Sequence, residues 1–518
     1  MPASRLSTLV AALSQCRDEW WDGRLLGLEK ESLRTSIAGT ISQRDHPTSL
    51  GAALTHPHIT TDFGEAMLEF VTPPSASAGE ALRILHDLHG YTVGKLNKES
   101  LWAASMPCVL QGESSVRIGE YGPSNAGQMK HIYRRGLGLR YGKSMQVIAG
   151  IHINLSWPQA VWDCIADAEG SSPSARAQVD AHYMGLLRNV QRHGWLLLYL
   201  FGASPAICTS FLGGESGGLE RFDSTTVYQP FGTSLRMSDL GYRNSDKAPV
   251  KADYNSLQAY VASLREAIST PWPLYEALGV MQDDAWQQLS VNMLQIENEY
   301  YSGTRPKQIT EALEKPSTAL ARRGIAYVEL RTLDVNPFAA VGIDLDTLRF
   351  VEVFALYCML RESAPLSLGE RARIDRNNDL VANQGRDPNL ELIGCNNQNA
   401  ALPSLANDLL DDMTPLAELY GDEHFAAVVA QRAKVADPDL TPSGQIIQGM
   451  REQRCGFFEF ARALSDAHHT AHVNAALTPD RRAAFDQDVA DSLAARDRIE
   501  SAPQQPFATF ISDYMSSE

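Results

Sequence analysis

A chain of 518 residues, 44% of them hydrophobic, can bury a large core, and its length allows about two to four domains or one large α/β unit. Its 45 lysines and arginines face 62 aspartates and glutamates, a net charge of −17 with no basic cluster, which argues against nucleic acid as a partner. The seven cysteines (Cys16, Cys108, Cys164, Cys208, Cys358, Cys395 and Cys455) are scattered without a C-x-x-C pair, so neither a zinc site nor a disulfide framework is indicated and a reducing cytoplasm is the expected compartment.

Residues 1–20 read as an amphipathic helix, not a signal peptide, because charges interrupt a modest apolar run. RLLGLEKESLRT, residues 24–35, follows as an extended strand with Glu29 and Glu31 on one face. Two like charges there repel, and a hard divalent cation such as Mg²⁺ would offset them. Taken alone, the pair is explained more simply by a solvated polar face. Residues 61–71 predict a strand that stops at Pro73-Pro74, with Glu65, Met67, Glu69 and Val71 on one side. Asp62 has the opposite parity and contributes only if it precedes the regular strand. A helix is expected over 80–97 and a glycine-containing turn over 137–142. Residues 145–156 alternate strongly and predict a strand whose polar face carries Gln146, His152, Asn154 and Ser156.

The apolar run 195–203 reads as the buried end of a helix starting near Ser174, far too short to span a bilayer. Residues 213–218 and 234–253 read as long loops, the kind that cover active sites. Glu297 and Glu299 repeat the two-residue carboxylate spacing more weakly. A third strand over 325–333 puts Tyr327, Glu329 and Arg331 on one face, and a helix follows over 345–360. Beyond Pro403 the chain is mostly helical, with polar breaks at 437–444 and 503–506, and there is no internal repeat.

Several strands thus offer carboxylates, one histidine and one arginine to a common face, as a site for several Mg²⁺ ions and a nucleotide triphosphate requires. There is no GxxxxGK[ST], and Gly136, Gly138 and Gly142 are wrongly spaced for a dinucleotide fingerprint. A metal-dependent phosphohydrolase and a nucleotide-binding regulator without turnover would use similar residues. Phosphate release from ATP, with and without an amine, separates them.

The segments GLEKESLR, THPHITTDFGEAMLEFVTP, YRRGLGLRYG, GIHINLS, YLFGASPAIC, TSLRMSDLGY, LQIENEYY and VELRTLDVNPF occur in the order found in proteobacterial glutamate–cysteine ligases. The chain resembles that family densely from Gly27 to Phe338 and thinly beyond about residue 400. The resemblance implies an α+β fold like that of glutamine synthetase, with a curved antiparallel sheet forming a funnel, flanking helices and a mostly helical C-terminal region. It divides the chain into a catalytic core, 1–400, and a C-terminal region, 401–518. The implied activity is ATP-dependent joining of the L-glutamate side-chain carboxyl to the amine of L-cysteine through a γ-glutamyl phosphate, the first step of glutathione synthesis. Related carboxylate–amine ligases share such a metal site and accept other amines, and composition does not select a thiol.

Carried over residue by residue, the metal ligands for Mg²⁺, with Mn²⁺ as a substitute, are Glu29, Glu31, Asp62, Glu69, His152 and Glu329. Arg331 matches the arginine that grips the transferred phosphoryl group, with Glu29 and Glu329 beside it in catalysis. The cysteine pocket resembles Tyr133, Leu137, Gln146, Arg236, Tyr242 and Tyr301, with a one-residue ambiguity toward Tyr300. Six residues apart on one strand, Gln146 and His152 would lie about 20 Å from each other, placing the amine and the metals at opposite ends of the funnel. A monomer in the cytoplasm, with no membrane or nucleic-acid partner, completes the expectation.

Overall fold

The computed structural model describes residues 5–171, 176–240, 250–394 and 397–516. A seven-stranded sheet organises it: β1 (Leu25–Ser36), β2 (Ile59–Thr61), β3 (Met67–Val71), β4 (Glu99–Leu101), β5 (Gly150–Ser156), β6 (Thr304–Lys307) and β7 (Tyr327–Asp334). The order is β6-β7-β5-β1-β3-β2, every pairing is antiparallel, and β4 joins the far end of β1. The sheet stays open. This is the α+β architecture with an antiparallel sheet that the sequence led us to expect.

Alternation along the strands makes the sheet two-faced. Leu26 and Leu28 of β1, Ile151, Ile153 and Leu155 of β5, and Val328 and Leu330 of β7 are all buried. The helices Ala78–Lys95, Arg176–His193 and Leu345–Leu360 belong to the packing around this sheet, and Leu345–Leu360 is buried almost throughout its length. Burying each such leucine or isoleucine contributes roughly 1.5–3 kcal/mol. The opposite face carries the charged residues.

Four local expectations need correction. Residues 61–71 are not one strand but a hairpin: β2 ends at Thr61, a turn follows, and β3 begins at Met67. Glu65 in that turn accepts the amides of His46 (2.7 Å) and Glu120 (2.8 Å), so it shapes the turn and does not share the face of Glu69. Residues 137–142 are not a turn, because the helix Asn125–Tyr141 runs through them. Its Gly136 is required by close approach: a Cβ there would lie 2.2 Å from Oε1 of the buried Gln295. The strand expected from Met145 starts only at Gly150, and Ser144–Val147 forms a 3-10 turn closed by the Gln146 amide on the Lys143 carbonyl.

The fourth correction concerns the cysteines. Cys16 and Cys164, 148 residues apart, form a disulfide where the helix Arg5–Gln15 meets Gln159–Ala168. Tertiary packing brings them together, and their spacing gives no sign of it. Cys395 lies outside the described residues.

The helix Arg176–His193 and the wholly buried Trp195–Phe201 are separated at Gly194, close to the expected single helix. After residue 401 the chain is helical, from Leu402–Tyr420 to Phe507–Ser516, with breaks near both expected positions. Phe457–Asn474 and Pro479–Ser501 pack on Ala78–Lys95, and Phe507–Ser516 packs on Asn125–Tyr141.

Candidate active site

β1 is the axis of the site. Its register sets Glu29 opposite His152 of β5 and Glu31 opposite Glu69 of β3. Glu329 of β7 faces Asn154 of β5, one alternation from His152, and Arg305 of β6 on its other side. Directly opposed residues in antiparallel strands point the same way. Glu29, Glu31, Glu69, His152, Asn154 and Glu329 therefore share one face.

Glu29, His152 and Glu329 each bring a ligand atom within 4.8 Å of the others. His152 Nδ1 lies 3.2 Å from Glu29 Oε2 and 3.8 Å from Glu329 Oε1, and its Nε2 lies 3.7 Å from Glu31 Oε1. Asn154 donates to Glu29 Oε1 at 2.8 Å, and the Gly150 amide donates to Glu31 Oε2 at 2.6 Å. Burial and the Arg331 guanidinium push the His152 pKa down to about 4, so its imidazole is neutral, the form that ligates metals.

The carboxylates divide electrostatically. Burial and the charge of Glu29's neighbour Glu329 would raise Glu29, but the His152 hydrogen bond and Lys307 leave it below its ordinary value. Burial likewise opposes ionisation of Glu329, yet Lys307, Arg331 and His152 hold it well below the usual range. Lys307 Nζ is 3.4 Å and Arg331 Nη1 3.0 Å from Glu329 Oε1. On the other side, burial and then Asp62 push Glu31 up to about 8. Burial, Asp62, Glu29 and Glu31 raise Glu69 well above its normal value, and burial raises Asp62. This side gathers more carboxylates than burial and the nearby cations allow to stay ionised without a bound cation.

A cation fits such a donor set. Oxygen and neutral imidazole ligands suit Mg²⁺ or Mn²⁺. Among the described residues Glu329 Oε2 is buried with no hydrogen-bond partner, an orphaned acceptor where a ligand atom is needed. Asp62, just past β2, neighbours Glu31 and Glu69 electrostatically, so its strand parity is irrelevant.

Arg331 Nη1 also lies 3.4 Å from His152 Nδ1. Arg236, in the 3-10 turn Leu235–Met237, donates from Nη2 to the Arg331 carbonyl at 2.9 Å. A Cβ on Gly150 would lie 2.1 Å from that Nη2, so a glycine at this position admits the guanidinium. Tyr301 donates to Met237 Sδ at 3.5 Å and influences Arg331. Arg236 and Tyr301, both expected to line the amine pocket, thus lie close to Arg331, and the premise of the expected separation of about 20 Å does not hold. It assumed that Gln146 continues the strand of His152, and Gln146 is instead buried in the 3-10 turn.

Tyr300 sits in the core and accepts the Ala252 amide at 3.2 Å, leaving Tyr301 as the residue beside Met237. Tyr133 and Leu137 are half-buried on the helix Asn125–Tyr141. Tyr242 lies outside the described residues. Glu297 and Glu299 are structural: Glu297 accepts the Ser317 amide at 2.6 Å, and Glu299 pairs with the buried Arg140 at 2.9 Å.

Sequence reading missed Lys307, Arg305 and Arg134. Lys307 and Arg305 flank Pro306 on β6, and their alternation in T-R-P-K was the available signal. Arg134 donates to the Asp62 carbonyl, and only the fold brings the two together.

Residues 10–381 match the family model described as glutamate-cysteine ligase. The chain belongs to the glutamate–cysteine ligase family. Among family members, the glutamate–cysteine ligase of Pseudomonas paraeruginosa is 46% identical over 95% of this chain and 94% of its own length. That of Azotobacter vinelandii is 45% identical over 95% of this chain and 94% of its own. A solved glutamate–cysteine ligase from Francisella tularensis in complex with AMP superposes with a TM-score of 0.89 at 34% identity, covering 95% of this chain and 97% of that one.

Proposed function

We propose that the chain joins the side-chain carboxyl of L-glutamate to the amine of L-cysteine, converting ATP to ADP and phosphate, as glutamate–cysteine ligases do. The observation that carries this reading is the face shared by Glu29, Glu31, Glu69, His152 and Glu329, with Arg331 against it, in a member of that family.

Glu29, Glu31, Asp62, Glu69, His152 and Glu329 would hold Mg²⁺, or Mn²⁺ in its place. When bound, the cation offsets phosphate charge. A carboxylate is a poor electrophile, so a glutamate oxygen first attacks the γ-phosphorus of ATP and ADP leaves. Arg331 presents its guanidinium to the charge developing on the transferred phosphoryl group. Lys307 and Arg305 add positive charge beside Glu329. The neutral cysteine amine then attacks the acyl carbon, and the C–O bond to phosphate breaks. Arg236 and Tyr301, with Tyr133, Leu137, Gln146 and Tyr242, are proposed to seat the amine substrate.

Among the described residues no helix is long and apolar enough to cross a membrane. A monomer working in the cytoplasm is our proposal, although the Cys16–Cys164 disulfide removes the argument from unpaired cysteines. The function is tested by phosphate release from ATP and glutamate with and without cysteine, alongside mass identification of the dipeptide. Release independent of any amine would point to a hydrolase.

A further inference from the structure

Asp334, the last residue of β7, belongs to none of the groups assigned above, yet its side chain is wholly buried. Strict alternation would turn it to the packed face, because Glu329 and Arg331 lie an odd number of residues before it. A β-bulge reverses this. Leu330 pairs with Ile153 of β5 and Leu333 with Ile151, so Arg331 and Thr332 together stand opposite the single residue His152. Beyond the bulge Leu333 stays in the core, and Asp334 pairs with Gly150 on the face of the carboxylates. The irregularity is built into the neighbouring segment. The Arg331 amide donates to the Gly303 carbonyl at 2.9 Å, and a Cβ on Gly303 would lie 2.7 Å from Thr332 Cγ2, so glycine there leaves room for the extra residue.

Asp334 is held firmly where the bulge delivers it. Its Oδ2 accepts the Ala203 amide at 2.8 Å and the Ser204 hydroxyl at 2.7 Å, and its Oδ1 accepts the Ser234 hydroxyl at 3.0 Å. Oδ1 also lies 3.7 Å from Nη1 of Arg236. The same two serines hold the backbone of Arg236. The Arg236 amide donates to Ser204 Oγ at 3.3 Å, and Ser234 Oγ accepts the Met237 amide at 3.3 Å, capping the turn that carries Arg236. The Arg236 side chain is itself buried against the Arg331 carbonyl, and a buried guanidinium is costly without a countercharge. Gly150 supplies its space, and Asp334 supplies the countercharge.

We propose that Asp334 is a positioning residue, which fixes the Arg236 guanidinium for the amine substrate and is brought to that place by the bulge at Arg331–Thr332. This rests on the reading that Arg236 belongs to the amine pocket. One irregularity in β7 then serves both steps, since Arg331 lies within the bulge and Asp334 just beyond it.

The test measures KM for cysteine, glutamate and ATP, kcat and the thermal midpoint in Asp334→Asn, in Arg236→Gln and in the double variant. Asp334→Asn keeps the shape and removes the charge. It should raise the cysteine KM about tenfold or more, with kcat and the other two KM values changed less than about twofold. Adding it to Arg236→Gln should change the cysteine KM almost no further, because the two side chains act as a unit. Should Asp334→Asn fold poorly, Ser234→Ala, which frees Oδ1, replaces it, with a smaller rise expected in the cysteine KM alone. An unmoved cysteine KM, equal rises in all three KM values, or effects that simply add in the double variant would overturn the proposal. A cysteine KM that Arg236→Gln leaves unmoved would remove Arg236 from the amine pocket and the proposal with it. A wild-type chain that forms no dipeptide would instead refute the ligase reading itself.

Discussion

Glu329 is the residue on which the site's charge balance turns. One oxygen is held by Lys307 and Arg331, and the other is buried without a partner among the described residues. Glu329→Gln keeps the shape and removes the charge. Ligation should fall about 100-fold or more with a raised Mg²⁺ requirement and an unchanged thermal midpoint, since even outer-sphere changes cost 10–100-fold. Near-normal activity would remove Glu329 from the metal ligands. Arg331→Lys retains charge but loses the planar fork. Turnover should drop roughly ten- to a thousandfold with the cysteine KM little changed, whereas a change confined to that KM would assign Arg331 to the amine pocket. Glu31 gives a pH signature. The folded, metal-free chain retains its proton up to about pH 8, while the unfolded chain loses it near the ordinary value of 4.5. The folded state therefore binds more protons, and the stability present below pH 4.5 is lost as pH rises through 8. Mg²⁺ affinity should rise over the same window, because a ligand must be deprotonated to bind. Titration calorimetry at pH 6 and pH 8 would show it, and an affinity that does not change with pH would contradict the assignment.

At the scale of elements, β1, β7 and the helix Leu345–Leu360 were legible because the expected and observed elements coincide over most of their length. The strand ending at Ser156 was legible only from Gly150. Residues 144–147 alternate just as well, but the Ala149 amide bonds Ser105 and the preceding residues turn. Alternation reports which sides are buried, and a 3-10 turn lying against the core can imitate it. The hairpin at 59–71 was missed for a related reason: Glu65 has the parity of Glu69 yet closes a turn. The glycines of Asn125–Tyr141 looked like a turn because glycine usually marks one, whereas Gly136 is set by its neighbour. Gly136→Ala would ordinarily stabilise a helix interior by about 0.5–1 kcal/mol. Here Gln295 cannot yield easily, since its Oε1 accepts the Leu289 amide and its Nε2 donates to the Tyr133 carbonyl. We expect a loss of about 1–3 kcal/mol, as in overpacked cores, with a raised cysteine KM because Tyr133 and Leu137 ride on the same helix. A higher thermal midpoint in Gly136→Ala would show that Gln295 gives way.

Across the whole molecule, one sheet separates a packed helical side from a charged side, and the charged side gathers residues from five strands scattered between Glu29 and Arg331. Which side chains share that face could be read from spacing. That Arg236 reaches the Arg331 carbonyl, and that Lys307 reaches Glu329, depends on how distant segments fold together. The central claim is that the two halves of this arrangement carry out two steps in sequence, phosphoryl transfer to glutamate and then attack by the amine. Glutamate labelled with ¹⁸O in its side-chain carboxyl tests it most directly, by mass analysis of the phosphate released during ligation to cysteine. Transfer of one labelled oxygen into phosphate for each dipeptide formed is the result predicted, since that oxygen bridges carbon and phosphorus in the acyl phosphate. Unlabelled phosphate accompanying the dipeptide would contradict the account.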